Sequence, residues 1–326
     1  MEALKSYFEG QFLIGAAVNA NTIEADQELL KLHFNSITAE NEMKFEEIHP
    51  KPAQYHFERA DHFLEFAEAS GMGLRGHTLV WHNQTPAWFF TDQDGHDVTR
   101  AELLARMKEH IETVVSRYRG RIYAWDVVNE AISDHGGEYL RRSKWLDIIG
   151  EDFIDYAFQY AHEADPDALL FYNDYNESNP DKCEKIFLLI RGMLERGVPI
   201  HGVGLQAHWN LYDPSYQNIE AAIQRYAELG LQLHITEMDV SMFSFDDKRT
   251  DVTEPSKEML YLQAERYQRF FELFQKYQDH ISAVTFWGIS DRYTWLSDFP
   301  IKGRKNWPFL FDANGEPKPA LEYIMK

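Results

Sequence analysis

The chain has a single cysteine, Cys183, in 326 residues. A disulfide within the chain is impossible, and a cysteine-based zinc site is not expected. Basic residues are scarce, 32 against 53 acidic ones, giving a net charge of −21. Phosphate binding needs a basic footprint, so nucleic acid is not an expected partner, and neither is an acidic polymer. No stretch approaches ~20 uninterrupted apolar residues, so no membrane-spanning helix is expected. The opening MEALKSYFEGQFLIGAAV has no basic segment leading into a long apolar run with a small-residue cleavage site. It does not read as a secretory leader, and a cytoplasmic location is the expectation. Glycine-rich phosphate motifs are also missing. GAAVNANTI has one glycine where a dinucleotide fingerprint needs three, GVGLQAH runs into a histidine, and there is no P-loop. H-E-x-x-H does not occur either. These absences favour a neutral substrate, with no metal, no cofactor and no obligate protein partner expected.

What is present is a rhythm. Eight short apolar runs, at 12–18, 34–41, 73–81, 121–130, 168–174, 201–209, 231–239 and 281–290, alternate with helical patterns. In TRAELLARMKEHIETVVSRY the residues Leu103, Leu104, Met107, Ile111, Val114, Val115 and Tyr118 recur at helical spacing. Thr99 and Glu102 mark its start as a capping-box pair. The stretch 144–163 repeats the helical pattern, as does the stretch from Ser256 to Tyr277 behind Pro255. Such alternation predicts an α/β fold, a closed (β/α)8 TIM barrel, with residues 1–326 forming a single domain. An open doubly wound sheet is the alternative, weakened by the missing phosphate turn.

In such a barrel the site forms where the strands end. The run ends carry Glu40, Asn41 and Lys44; His77, Trp81 and His82; Asn129 and Glu130; Asn173 and Asp174. Later runs add Gln206, His208 and Trp209; Glu237 and Asp239; Trp287 and Asp291, with Trp295 close behind. Carboxylates, amides and imidazoles among tryptophan faces suit a sugar, whose hydroxyls need donors and acceptors and whose ring face stacks on an aromatic plane. Two of these carboxylates, Glu130 in WDVVNE and Glu237 in HITEMD, end buried runs. A buried carboxylate is costly to desolvate without a task or a partner. A pair across a cleft is the equipment for glycosidic bond cleavage: one gives a proton to the leaving oxygen, the other acts ionised.

WDVVNE, HITEMD and GHTLVWH, with ITAENEMKFEEIHP, GVGLQAHW and TFWGISDRYTWL, resemble glycoside hydrolase family 10, the xylanases. The likeness runs from about Ile14 to about Pro319 and comprises six segments in order. It implies a barrel fold and retaining hydrolysis of β-1,4-xylosidic bonds in xylan or xylo-oligosaccharides. It implies Glu130 as acid/base and Glu237 as nucleophile, with carboxyls roughly 5–5.5 Å apart. Asn129 would bond the sugar 2-hydroxyl, and His208 would hold the nucleophile ionised. Lys44, His77, Trp81, Gln206, Trp287 and Trp295 would line the subsite at the bond, and Glu40 and Asn41 the next sugar on the glycone side. The chain resembles the subgroup without a signal peptide, which implies imported xylo-oligosaccharides as the working substrate. One departure stands out: the family often has tryptophan after NEMK, where this chain has Phe45, a change in the packing behind Lys44 at most and one that carries no assigned role.

Other residues read as structural. His234, three before Glu237 in a strand, should point to the opposite face by alternation. Trp125 and Trp145 read as packing, and Cys183 as an inert thiol. His82 carries no assignment. Two rival functions are a metal-dependent barrel enzyme, which would lose activity to a chelator, and a barrel that only binds sugar. The second usually lacks a catalytic carboxylate, and here both stand in intact motifs.

Overall fold

The apolar runs become strands, and the strands close on themselves. The computed structural model describes residues 2–326. Its strands are β1 (Leu13–Val18), β2 (Ser36–Ala39), β3 (Gly73–Trp81), β4 (Ile122–Asn129), β5 (Leu169–Asp174), β6 (Gly202–Leu205), β7 (His208–Asn210), β8 (Gln232–Ser241) and β9 (Ile281–Phe286). They pair in parallel in the order β6-β5-β4-β3-β2-β1-β9-β8, and a β6–β8 pairing closes the ring. Eight strands thus make the barrel expected from the rhythm, and β7 lies as a short addition beside β8. The open doubly wound alternative is discarded, because the β6–β8 pairing closes the eight-strand ring.

Helices wrap the barrel with their apolar stripes inward. In Arg100–Arg117 the residues Leu103, Met107, Ile111, Val114 and Val115 are buried, and Thr99 caps the helix by accepting from the Glu102 amide. Burying each such side chain contributes about 1.5–3 kcal/mol. Lys257–Lys276 begins at Ser256, whose hydroxyl accepts from the Met259 amide.

Three expectations need correction. The sixth run, 201–209, is two strands rather than one, because Ala207 adopts a left-handed φ of 59° and turns the chain between β6 and β7. The stretch 144–163 is two helices, Lys144–Ile149 and Phe153–Ala164, broken at Gly150, whose φ of 102° suits a residue without a Cβ. His234 faces the barrel interior, like Glu237, and not the opposite side. A register shift in β8 between Ile235 and Met238 breaks the alternation. Inside the barrel His234 accepts from Arg75 Nε at 3.4 Å and stacks on Phe171 at 4.0 Å.

Phe45, which carries no assigned role, is buried, stacked on His110 at 3.5 Å and edge-on to Phe89. Trp125 and Trp145 are fully buried in the core. Among the described residues, no helix is long and apolar enough to cross a membrane.

Candidate active site

Glu130 follows directly on β4, and Glu237 lies in β8. A chain of amides runs between them. Gln206 Nε2 donates to Glu130 Oε1 at 3.0 Å and to Asn129 Oδ1 at 3.3 Å. Asn173 Nδ2 donates to Asn129 Oδ1 at 2.8 Å and to Glu237 Oε1 at 2.8 Å. Thr236 fixes which way Asn173 lies, by donating to its Oδ1 at 2.7 Å. Gly204 on the neighbouring strand makes room for it: a Cβ there would stand 2.3 Å from Asn173 Oδ1. Asn129 Oδ1 is used twice, so its NH2 is the part of this amide left to donate to a ligand.

The two carboxyl groups sit in different fields. Glu237 Oε2 meets His208 Nε2 at 3.1 Å, and His208 Nδ1 meets Asp239 Oδ2 at 2.9 Å. Burial alone would lower the His208 pKa, but the Asp239 charge and the hydrogen bonds to both carboxylates push it up to about 10. Burial likewise acts to raise Glu237, yet the His208 hydrogen bond and the charges of His77 and His208 hold it below the usual range. His77 Nδ1 lies 3.9 Å from Glu237 Oε1 and 2.8 Å from Asp126 Oδ2. Asp126 is in turn gripped by Arg75 through both guanidinium nitrogens, inside the barrel.

Glu130 receives only neutral donors: Gln206, and Trp81 Nε1 at 2.8 Å to Oε2. Among the described residues, none of the cationic side chains forms an ion pair with it. Burial raises its pKa, the negative charges of Asp174 and Glu237 add to that, and the two hydrogen bonds only partly offset it. The arrangement therefore favours the protonated form of Glu130 and the ionised form of Glu237 across one cleft.

The cleft walls are aromatic and basic. Lys44 Nζ donates to Asn41 Oδ1 at 3.0 Å and lies 5.0 Å over the Trp81 ring. Burial lowers its pKa against the pull of Glu237, Glu40 and Glu130. Glu40 accepts from Asn19 Nδ2 at 2.9 Å, and burial raises its pKa. Trp287 stands edge-on to His77 at 5.2 Å, and Trp295 edge-on to His208 at 4.9 Å. Trp295 Nε1 also donates to Asp239 Oδ2 at 2.8 Å. Ligand atoms of His77, Asp126 and Glu237 lie within 4.8 Å of one another, as a metal site would require. The donor set fits a metal poorly, however. Arg75 already neutralises Asp126, and Asn173 and His208 already use both oxygens of Glu237.

The family model of glycosyl hydrolase family 10 matches residues 3–326. The chain belongs to glycosyl hydrolase family 10. An endo-1,4-β-xylanase of Geobacillus stearothermophilus is 57% identical over 98% of this chain and 96% of its own length. Endo-1,4-β-xylanase B of Paenibacillus barcinonensis is 54% identical over 99% and 97%. Among solved structures, a xylanase of Paenibacillus barcinonensis bound to a conduramine derivative superposes with a TM-score of 0.98 at 53% identity, covering 100% of this chain and 98% of that one. A mutant in complex with xylotriose superposes equally well, at 48% identity with both chains fully covered.

In this family 10 barrel Glu40, Asn41, Lys44, His77, Trp81, Asn129, Gln206, His208, Trp287 and Trp295 all gather round the two glutamates. Three run-end residues do not. Trp209 donates to Glu177 and packs on Phe270, Asp291 pairs with Lys318, and Asp174 pairs with Lys182 and accepts from the Tyr172 hydroxyl. His82 is neutral, its pKa lowered by burial to about 4, and stands edge-on to Trp81. Trp145 does more than pack: its Nε1 donates to the Trp81 carbonyl at 3.0 Å. Sequence reasoning missed Asn173, Thr236, Asp126 and Asp239 as site residues. Asn173 and Asp239 were visible at run ends; Asp126 and Thr236 hide inside runs, where nothing in the pattern distinguishes them.

Proposed function

We propose that this chain is an endo-1,4-β-xylanase that cleaves xylan-derived xylo-oligosaccharides with retention of anomeric configuration. Ionised Glu237 attacks the anomeric carbon while Glu130 gives its proton to the departing glycosidic oxygen, so one C–O bond forms as another breaks. Glu130, now a carboxylate, takes a proton from water, whose oxygen attacks the same carbon and releases Glu237. The carrying observation is the contrast in partners: a charged imidazole on Glu237, and only neutral donors on Glu130. His208 stabilises the ionised form and Asp239 keeps His208 charged. Asn129 offers its NH2 to the sugar 2-hydroxyl. Lys44, Trp81, Trp287 and Trp295 wall the subsite at the bond, and Glu40 and Asn41 serve the next sugar. The choice of xylose is supported by what the relatives are named for and by the xylotriose bound in a neighbour. Residues 1–326 are read as one catalytic domain, supported by the span of the family match. Proton NMR of a fresh xylo-oligosaccharide digest tests the reaction. The β-anomer should appear first, before mutarotation; an initial α-anomer would make Glu237 a base and the enzyme inverting.

A further inference from the structure

The geometry points to Arg141 as a positioning residue that aims the Glu130 carboxyl through the main chain. This inference rests on the reading of Glu130 as the proton donor. Glu130 has a left-handed φ of 59°, a conformation that a residue with a Cβ keeps only when its surroundings enforce it. Two bonds enforce it here. The Glu130 amide donates to the Asn173 carbonyl at 2.8 Å, on the side of the catalytic amide chain. On the other side Arg141 Nε donates to the Glu130 carbonyl at 2.9 Å. Arg141 does not bond the Glu130 carboxylate; it holds the peptide from which that side chain springs.

Arg141 is itself clamped. Its Nη2 donates to Asp134 Oδ2 at 2.9 Å and to the Tyr175 hydroxyl at 2.8 Å, and the Tyr175 hydroxyl donates to Asp134. Lys182, buried, donates to Asp134 Oδ1 at 2.7 Å and to Asp174 Oδ1 at 2.9 Å, with its ammonium 3.8 Å over the Tyr175 ring. The planar guanidinium fork thus has one edge on the Glu130 carbonyl and another on a fixed anion and phenol, which sets its direction. The Arg141 amide donates to the Ala131 carbonyl at 2.8 Å and closes the intervening loop. The Arg141, Asp134, Tyr175 and Lys182 side chains make no bond to Glu237, whose oxygens are held by His208 and Asn173. Loss of Arg141 therefore acts on proton delivery and leaves the attack in place.

The test compares two substrates of the purified full chain: xylotetraose, whose leaving sugar hydroxyl needs the proton, and dinitrophenyl β-xylobioside, whose leaving group does not. For Arg141→Ala, kcat/KM on xylotetraose should fall about 100-fold, the scale of a small misplacement of a reacting group. On the dinitrophenyl substrate it should stay within about threefold, since general-acid help is not needed there. Tyr175→Phe keeps the ring and removes one clamp, so it should show the same split at smaller amplitude. It also decides the matter if Arg141→Ala does not fold. Equal losses on both substrates, or no loss on either, would overturn the inference. Glu130→Ala, measured in parallel, separates the two readings. If that variant shows no split, the acid assignment itself falls; if it shows one and the Arg141 and Tyr175 variants do not, only the present inference falls.

Discussion

Glu237 and Glu130 are the same residue type at the same rim of one barrel, and their surroundings differ in kind. Around Glu237 stand His208, charged and backed by Asp239, and His77, backed by Asp126 and Arg75. Around Glu130 stand an indole and a carboxamide, with the negative charge of Asp174 adding to the effect of burial. One neighbourhood stabilises the anion and the other the acid. The lesson is that the role of a carboxyl group lies less in its own motif than in whether a cation or a neutral donor faces it.

The harshest way to break the comparison is Glu237→Ala. No other group can attack the anomeric carbon, so turnover should fall by at least about 10⁴-fold. Near-normal activity would sink the assignment. Glu130→Ala should be gentler and selective. Losses of about 10²–10⁴-fold are expected on oligosaccharides and far smaller ones on aryl glycosides with good leaving groups. Equal damage to both substrates would count against the acid role. The smallest effect, and the one that sharpens the comparison most, is on the pH profile. Activity should fall as pH drops through the depressed pKa of Glu237 and as pH rises through the raised pKa of Glu130, giving a bell that belongs to the coupled pair. His208→Gln removes the cation that depresses Glu237. The acid limb should then move up by about 1–3 pH units while the alkaline limb stays nearly in place. An unmoved acid limb would show that His208 does not tune Glu237.

Much of the barrel was legible because strands and helices have different apolar periods, and the runs alternate cleanly. The rim was legible because polar residues that end an apolar run have few other reasons to be there. The misses on the strands share one physical cause. Counting by twos assumes an unbroken strand, and the strands that carry the chemistry are broken. The shift in β8 between Ile235 and Met238 brings both His234 and Glu237 inward, and a shift in β4 between Asp126 and Val128 does the same for Asp126 and Asn129. Ala207 turns the sixth run so that His208 can reach both Glu237 and Asp239. Asn173 was visible at its run end, but its bridging of Asn129 and Glu237 is a contact that only the folded chain reveals.

The central claim is that Glu237 is the nucleophile and Glu130 the acid. It is tested most directly by trapping the covalent intermediate with a 2-deoxy-2-fluoro-xylobioside carrying a dinitrophenyl leaving group, then locating the label by peptide mass spectrometry. A fluoroglycosyl ester on Glu237 is the predicted result; an ester on Glu130, or inactivation with no ester at all, would contradict it.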